Sequence, residues 1–366
     1  MFQTVKIRDG HDNFFMPLRL LFATLVVIGH AFAVALRDPM SEPQLFFHYT
    51  FSYLAVNLFF IASGFLVTKS MLYRGDVAEY SSARLLRIYP GLIIHMLFVM
   101  LIIGPLATTM SLGEYFTHID FLKQPFVVLS FLSAQMWLPG VFENNAEQMA
   151  SAPLWTLRYE ILAYIGTAII FSLGLLKKKW MALAQFILPS IAWVAAHGLG
   201  IYEAIPATAQ ALLRFGIAYG LGAAIYAYRD RLSFHTLGVP LMIGLAVLTS
   251  KFQIFEVTMN LMLAYMIMWA AYIKAPKLDF LKKFSDVSYG VYIYHWCILQ
   301  LLFMMMPNLS VASLFAIGLP ITFLLATLSW HFVEKPMLKH KTGFSKYLRF
   351  GRKRPTSYDP KIMLAD

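Results

Sequence analysis

The 366-residue sequence has one cysteine and few charged side chains. Cys297 alone cannot build an internal disulfide framework or a cysteine metal cluster. Charged residues make up 13% of the chain, whereas a soluble domain of this size would carry about 25%. Apolar residues make up 59%, and the mean hydropathy is +0.64. This composition excludes an ordinary soluble protein and predicts a chain that crosses the membrane several times.

The sequence also lacks the short motifs of several soluble enzyme classes. It has no P-loop, GxSxG, HExxH or dinucleotide fingerprint. The first hydrophobic segment is too long for a signal-peptide core, and no small-residue cleavage site follows it, so we expect it to remain in the mature protein. Residues 110–153 form the only sizeable loop, and we expect no second soluble domain.

Long apolar segments predict an all-α polytopic membrane protein with ten transmembrane helices. All of these segments except the seventh are near the roughly 20 residues that a bilayer requires. The predicted spans are residues 14–35, 51–69, 89–109, 154–176, 180–198, 205–228, 236–250, 254–273, 287–306 and 310–333. A further apolar stretch, residues 119–138, is interrupted by polar residues and is predicted to be interfacial or re-entrant.

The distribution of basic residues predicts the orientation of the chain. Ten spans put both termini on one side, and a cytoplasmic N-terminus places 24 of the 30 Lys and Arg residues in cytoplasmic segments. This asymmetry explains the net charge of +11 without a nucleic-acid partner. We predict a transmembrane domain of residues 1–334 and a basic cytoplasmic tail, residues 335–366, that touches anionic lipid headgroups.

The first predicted span carries two ionisable side chains, Arg19 and His30. An Arg at the centre of a membrane helix costs roughly 2.5–3.5 kcal/mol on insertion scales, so such a residue usually has a function. Eleven residues make about three helical turns, so Arg19 and His30 lie on one helix face, ~16 Å apart along the axis. We therefore expect a polar site along this face.

The predicted topology places His30 and Glu160 at the same depth, in the outer half of the membrane. A histidine that is oriented by a carboxylate is a general-base arrangement, so we treat these two residues as candidate catalytic residues. The alternative interpretation is that each side chain pairs with a local group.

A cluster of arginines is predicted at the cytoplasmic mouth of the bundle. Arg84 and Arg87 are three residues apart and share a helix face, and Arg19 lies at the same depth. Guanidinium groups suit a phosphate or diphosphate. The alternative is that these arginines are the positive charges that usually flank the cytoplasmic end of a membrane span. Three arginines at one mouth are more than this role requires. Glu334, which closes the last span, is expected to pair with one of the arginines.

Other polar residues lie inside the second and ninth spans. Ser63 and Gly64 permit close approach between helices, and packing is the simpler role for them. Ser288, Tyr292 and His295 recur at i, i+4 and i+7, so they form one polar stripe on the ninth span. Such a stripe lines a cavity or joins helices by hydrogen bonds.

In chain order, these segments resemble the membrane-bound acyltransferase-3 family, which includes the O-acetyltransferases of bacterial surface polysaccharides. The resemblance runs from Arg19 to Pro336. It rests on Arg19 and His30, FFIASGF with Ser63 and Gly64, the RxxR of Arg84 and Arg87 followed by Pro90, LWTLRYE with Trp155 and Glu160, SYGVYIYH with Ser288, Tyr289, Tyr292 and His295, and VEKP with Glu334 and Pro336. One departure occurs around Asn57, where many members carry an acidic residue.

The resemblance implies that an acyl group, usually acetyl, moves from cytoplasmic acyl-CoA to a hydroxyl of a glycan such as lipopolysaccharide O-antigen or exopolysaccharide. By this analogy His30 matches the essential histidine of the family. Arg84 and Arg87 match the pair proposed to hold CoA, and Arg19 matches the arginine of the R-x10-H motif. Residues expected to support the substrates are Ser63, Trp155, Ser288, Tyr292, His295 and Glu334. The resemblance also implies the bacterial inner membrane as the location, and no metal ion is expected.

Two chemical routes and one rival function are compatible with these residues. His30 acts either as a general base for the acceptor hydroxyl or as a nucleophile that forms an acyl-histidine. The rival is a transporter or a carrier of a lipid-linked glycan, although such proteins often have inverted repeats that this sequence lacks. A scaffold role would not offset the cost of a buried Arg and His. We expect no fused hydrolase-like domain, so the chain is expected to complete the transfer or to pass the group to a separate protein.

Overall fold

The computed structural model describes residues 3–8, 10, 12–132 and 135–349. The described chain is mostly helical, in agreement with the predicted class. Its helices are α1 (Phe15–Ala35), α2 (Phe51–Arg74), α3 (Val77–Phe98), α4 (Gly104–Ala107), α5 (Leu112–Thr117), α6 (Ile119–Leu129), α7 (Trp155–Ser172), α8 (Lys179–Gly198), α9 (Ala207–Ala227), α10 (Gly238–Thr249), α11 (Phe255–Tyr272), α12 (Ser288–Met305), α13 (Val311–Ser329), α14 (Lys335–Leu338) and α15 (Lys341–Leu348). Short strands form two antiparallel pairs, β1 (Thr4–Lys6) with β4 (Ser233–His235) and β2 (Gln44–Phe46) with β3 (Tyr49–Thr50).

Each of the ten predicted spans overlaps one helix of at least 12 residues, although α3 begins 12 residues before its predicted span. Within the described ranges, five helical segments are long and apolar enough to cross a membrane, and a bent pair formed by α11 and residues 276–283 would make a sixth. The five are Phe15–Ala35, Phe51–Arg74, Val77–Ala107, Lys179–Gly198 and Val311–Leu338. Helices such as α7, α9 and α12 contain polar side chains that lower their hydropathy. The structure therefore describes a membrane protein, and the count of ten spans stays a prediction.

Helix α12 lies at the centre of the bundle. Every residue from Ser288 to Gln300 is buried, including the tyrosines and His295. Helices α1 and α13 pack along it, and α1 also packs on α2. Because buried polar groups must find partners, the polar stripe predicted on this helix bonds to its neighbours instead of to solvent.

Close packing between α2 and α9 depends on small residues. A Cβ atom on Gly64 would lie 2.0 Å from the Tyr219 carbonyl oxygen, and one on Gly222 would lie 2.1 Å from the Ile61 carbonyl oxygen. The backbones thus approach too closely for any side chain. This confirms the packing role predicted for Gly64.

The described N-terminal and C-terminal segments lie at the same end of the bundle, next to the turn between α2 and α3. Lys69 Nζ on α2 donates to the Gly10 carbonyl at 3.1 Å. Helix α15 packs on α3, where Ser82 Oγ donates to the Lys341 carbonyl at 2.6 Å. The predicted tail is therefore folded onto the bundle over residues 341–349 and is not simply a solvated segment, while residues 350–366 lie outside the described residues.

The loop before α7 covers the far end of α12. Trp296 Nε1 donates to the Met149 carbonyl at 2.8 Å, and Gln300 Nε2 donates to the Glu147 carbonyl at 2.6 Å. Asn145 Nδ2 in turn donates to Gln300 Oε1 at 2.8 Å. These bonds hold residues 145–149, the covering loop, against the helix that carries His295.

Candidate active site

A cavity of about 90 Å³ lies between α1, α2, α3, α7 and α12. Seven predicted site residues line it, namely Arg19, Ser63, Arg84, Arg87, Glu160, Ser288 and Tyr292. Apolar side chains, including Phe59, Phe60 and Leu66, complete the wall. Four other predicted site residues are not among the lining residues, namely His30, Trp155, His295 and Glu334. The fold thus gathers the three arginines at one cavity, as the sequence predicted.

Asp286 holds two of these arginines together. Its Oδ2 accepts from Arg87 Nη2 at 2.8 Å and from Arg19 Nη1 at 3.2 Å, and its Oδ1 accepts from Ser288 Oγ at 2.8 Å. Burial opposes ionisation of Asp286, but the charges of Arg19 and Arg87 outweigh it and lower its pKa to about 2. Sequence reasoning missed Asp286, although its place two residues before Ser288 was a usable signal.

Glu334 contributes a second carboxylate to this group. Its Oε2 lies 3.6 Å from Arg87 Nη1, and its Oε1 accepts from Ser329 Oγ at 3.0 Å. A single π-helical turn, Trp330–Glu334, follows α13 and carries Glu334 toward Arg87. The predicted pairing of Glu334 with an arginine is confirmed. We call Arg19, Arg84, Arg87, Asp286 and Glu334 the arginine cluster.

Arg84 differs from the other two arginines in having no acidic partner. Within the described chain, no carboxylate lies within 4.0 Å of its guanidinium. Its Nη2 donates to Ser70 Oγ at 3.4 Å, and the guanidinium lies 5.6 Å from the centroid of the Tyr164 ring. Its Nε is buried without a hydrogen-bond partner among the described residues. Arg84 is therefore a cation that lines the cavity and makes no ion pair within the described residues.

His30 is bonded to another histidine. His30 Nδ1 lies 2.7 Å from His295 Nε2, and the two rings are stacked with centroids 4.9 Å apart. The edge of Trp296 also packs on His30, at 5.0 Å between centroids. Arg19 and His30 thus both contact the segment formed by Asp286 and α12, so they share one face of α1 as predicted.

The hydrogen bonds determine which nitrogen of His30 is available as a base. His295 Nδ1 lies 3.2 Å from the Val291 carbonyl oxygen, which can only accept, so Nδ1 carries the proton. In a neutral His295, Nε2 is then the acceptor, and His30 Nδ1 must donate to it. This assignment leaves the lone pair of His30 on Nε2, which can receive a proton from a substrate.

The predicted pairing of His30 with Glu160 is wrong. The carboxylate of Glu160 accepts a hydrogen bond from the Tyr164 hydroxyl, one turn further along α7. His295 of α12 instead contacts His30 Nδ1. Equal predicted depth placed Glu160 and His30 in the same layer, but α12 is the helix that adjoins α1 there. Glu160 lines the cavity with the arginines.

The remaining predicted residues hold the cavity wall in place. Tyr292 shares a 2.7 Å hydrogen bond with Thr156 Oγ1 at the start of α7. Trp155 packs on Tyr159 and Phe215, with ring centroids 5.8 and 5.6 Å apart. Ser288 is bonded to Asp286. These residues join α7 to α9 and α12, so their contacts favour a supporting role.

A second group of buried polar residues lies at the opposite end of α2, and sequence reasoning missed it. Glu256 is 1% exposed. Its oxygens accept from Tyr49 Oη at 2.7 Å, Tyr53 Oη at 2.9 Å, Asn57 Nδ2 at 3.0 Å and Asn260 Nδ2 at 2.9 Å. We call these five residues the Glu256 cluster. Glu256 of α11 thus places a carboxylate beside Asn57, and an ionisable residue inside a predicted span was the signal for it.

Arg214 extends the Glu256 cluster to α9. Its Nε donates to Asn57 Oδ1 at 2.8 Å, and its Nη2 donates to the Tyr53 carbonyl at 2.9 Å. The guanidinium lies 3.2 Å from the centroid of the Tyr53 ring. The cluster therefore joins α2, α9 and α11 around one carboxylate.

His95 connects α3 to the segment just after the covering loop. It is fully buried, and its Nε2 lies 2.9 Å from Ser151 Oγ. Its ring meets the Tyr294 ring edge-on at 5.0 Å. Because Tyr294 directly precedes His295, the part of α3 around His95 lies beside the His30–His295 pair.

The profile of the acyltransferase-3 family, described as "Acyltransferase domain", matches residues 17–331. This chain belongs to the acyltransferase-3 family. The matched range contains the His30–His295 pair and the three arginines, although Glu334 follows it. The resemblance predicted from the motifs is thereby confirmed, and the chain is an acyltransferase.

Two named proteins are similar to this acyltransferase over most of their length. An "O-acetyl transferase" of Shigella phage Sf6 is 25% identical over 328 residues, which cover 89% of this chain and 96% of that protein. "Nodulation protein 10" of Rhizobium leguminosarum bv. viciae is 27% identical over 376 residues, which cover 92% of this chain and 95% of that protein. No solved structure matches this chain.

Proposed function

We propose that this acyltransferase moves an acetyl group from cytoplasmic acetyl-CoA to a hydroxyl of a cell-surface or exported glycan. The observation that carries this proposal is the pairing of a base with an anion site on one helix. His30 is held by His295, and Arg19 lies in the arginine cluster ~16 Å away along α1. That separation is comparable to the length of an extended pantetheine arm, which would place the thioester near His30 and the phosphates near the arginines.

The charge balance of the arginine cluster supports an anionic donor. Asp286 and Glu334 form ion pairs with Arg19 and Arg87, whereas Arg84 has no ion-pair partner among the described residues. Phosphate groups bind well to planar guanidinium groups that present several donors. Arg84 and Arg87 would hold phosphate groups of CoA, and Arg19 would complete the site from α1.

The histidine pair supports direct transfer to the acceptor. The acceptor hydroxyl loses its proton to His30 Nε2 as its oxygen attacks the thioester carbonyl. The carbon–sulfur bond then breaks, and the departing thiolate takes the proton back from His30. His295 Nε2 accepts from His30 Nδ1 throughout, so it fixes the ring and stabilises the imidazolium. His295 therefore takes the orienting role that the sequence analysis gave to Glu160 or another carboxylate.

The proposal also includes the location and topology. Ten spans with both termini in the cytoplasm would place the arginine cluster at the cytoplasmic face of the bacterial inner membrane, where acetyl-CoA is made available. The phage relative named O-acetyl transferase supports acetyl as the group transferred. Its acceptor would be a glycan such as O-antigen or exopolysaccharide, reached from the outer half of the membrane.

The test is CoA release by the purified protein in liposomes, given acetyl-CoA with and without a surface-glycan extract. We expect glycan-stimulated release by the wild type, and a loss of about 100-fold or more in His30→Ala, the range typical for removal of a general base. The matched control is His48→Ala, which changes an exposed histidine outside the cavity. Normal release by His30→Ala would contradict the mechanism. A wild type that bound no acyl-CoA would favour the transporter interpretation.

A further inference from the structure

Two arginines at the end of the bundle near the α2–α3 turn share one hydroxyl oxygen. Ser70 Oγ on α2 accepts from Arg74 Nε at 3.2 Å and from Arg84 Nη2 of α3 at 3.4 Å. Arg74 is the last residue of α2. The sequence analysis identified neither Arg74 nor Ser70 as a site residue. A serine hydroxyl is neutral, so this contact gathers the two cations without balancing their charge.

Neither of these arginines has an acidic partner in the described chain, within 4.0 Å. The nearest acids in sequence are Asp76 and Glu79, and both are engaged by Arg349 from the end of α15. Arg349 Nε lies 3.2 Å from Asp76 Oδ2, and its Nη2 lies 2.8 Å from Glu79 Oε1. The folded tail segment thus takes up the carboxylates that would otherwise be available to the arginine pair.

This pair differs from Arg19 and Arg87, whose charges are balanced by Asp286 and Glu334. Two like charges that converge on one neutral atom repel each other, and a bound anion relieves that repulsion. The buried Nε of Arg84 has no hydrogen-bond partner among the described residues, so it is also available as a donor. Together these features describe a site for an anion with several acceptor oxygens.

The position of Arg74 and Arg84 indicates which part of the acyl-CoA donor they would bind. Along α3, Arg84 comes before Arg87, and His95 lies beyond both at the level of the histidine pair. Arg84 is therefore further from His30 than Arg87 is, and Arg74 lies on the same side. A donor whose thioester reaches His30 would place its diphosphate near Arg87 and its most distant phosphate near Arg74 and Arg84.

We propose that Arg74, Ser70 and Arg84 bind the 3′-phosphate of CoA. This inference rests on the proposed function, because it takes acyl-CoA as the donor. It assigns binding roles to Arg74 and Ser70 and divides the arginines at this end of the bundle into two groups. Arg19 and Arg87 are paired with Asp286 and Glu334, whereas Arg74 and Arg84 are available to the 3′-phosphate.

The test compares acetyl-CoA with acetyl-dephospho-CoA, which lacks only the 3′-phosphate. In the wild type, loss of this phosphate should raise KM about tenfold, since a charge-assisted hydrogen bond is involved, with kcat unchanged. Arg74→Gln should raise KM for acetyl-CoA by a similar factor and leave KM for acetyl-dephospho-CoA unchanged. The matched control is Lys69→Gln, which removes one positive charge from the same end of α2, where Lys69 bonds to Gly10.

The outcomes separate this proposal from the proposed function. Equal effects of Arg74→Gln on both donors, or no effect on either, would overturn the 3′-phosphate site. Binding of adenosine 3′,5′-bisphosphate, measured by calorimetry, needs no turnover. If the wild type binds it and Arg74→Gln does not, the site stands even when acetyl transfer fails. Arg74→Lys keeps the charge and should retain most of the affinity. It therefore still tests the site if Arg74→Gln fails to fold.

Discussion

Helix α2 contacts a buried charged group near each end, and the two groups are built differently. In the Glu256 cluster, each oxygen of one carboxylate accepts two hydrogen bonds from protein donors. In the arginine cluster, buried donor atoms of Arg84 and Arg87 have no hydrogen-bond partner among the described residues, and the arginines line a cavity. The carboxylate of the Glu256 cluster is saturated by the protein itself, although Asn260 Oδ1 has no hydrogen-bond partner among the described residues, whereas the arginine cluster keeps unused donors beside a cavity.

This difference separates a structural role from a binding role. Buried polar groups are normally satisfied, so an exception that faces a cavity points to a ligand. A charge in the membrane is not by itself evidence of catalysis, because Glu256 and Arg214 are as unexpected there as Arg19. What distinguishes the two groups is the number of donors that their neighbours leave unused. The following variants test this comparison, beginning with the largest expected effect.

Glu256→Ala should break the saturated group. The substitution removes the acceptor of two tyrosine hydroxyls and two amide groups, so the free energy of unfolding should fall by about 3–5 kcal/mol. Thermal unfolding in detergent measures this loss. Glu256→Gln keeps one acceptor oxygen and should lose less. If the folded fraction of Glu256→Ala bound acetyl-CoA much more weakly than the wild type, the structural role assigned to this cluster would be wrong.

Arg84→Gln should have the opposite signature. Because Arg84 has no acidic partner in the described chain, its loss should change the free energy of unfolding by less than about 1 kcal/mol. The loss of a charged donor to phosphate should raise KM for acetyl-CoA about tenfold or more. Steady-state kinetics and thermal unfolding of the same preparations give both quantities. A marked loss of stability with KM unchanged would place Arg84 with the structural group.

Gly64→Ala tests the helix contact that lies between the two clusters. The added methyl group would meet the Tyr219 carbonyl, so the free energy of unfolding should fall by about 1–3 kcal/mol. The control is Gly166→Ala on α7, where a Cβ would meet nothing within 4 Å. That control should be neutral or slightly stabilising, because alanine favours helix. Similar losses in both variants would argue against close α2–α9 packing.

The ionisation of Asp286 gives the most specific effect. Its pKa is lowered from 3.8 to about 2, so its stabilising charge is fully present above about pH 4 and is lost as the pH falls through about 2. The difference in unfolding free energy between wild type and Asp286→Asn should stay constant between about pH 5 and 8. It should shrink by about 2 kcal/mol in stronger acid. A difference that varied between pH 5 and 8 would contradict the ion-pair assignment.

Local periodicity predicted much of this arrangement correctly. The apolar segments located the long helices, and the spacing of Arg19 and His30 placed both on one face of α1. The three-residue spacing of Arg84 and Arg87, with the depth of Arg19, predicted that the arginines would meet. Each of these predictions depends on the geometry of one helix or on depth in the membrane, and sequence determines both.

The identity of neighbouring helices could not be predicted in this way. Depth suggested Glu160 as the partner of His30, but many helices share a layer, and tertiary packing places His295 beside His30 instead. The bridging role of Asp286 depends on residues 267 and 199 positions away. The Glu256 cluster likewise draws on β3, α2 and α11, and no pattern within a single segment could reveal that these meet.

The covering loop has a consequence for the energetics of the whole membrane. The bonds from Trp296 and Gln300 to Met149 and Glu147 hold this loop against the part of α12 that follows His295. On the proposed topology, the loop would therefore lie between the histidine pair and the outer surface of the membrane. It would limit the leakage of protons along the polar groups of the bundle, and an acceptor entering from the outer side would have to pass it.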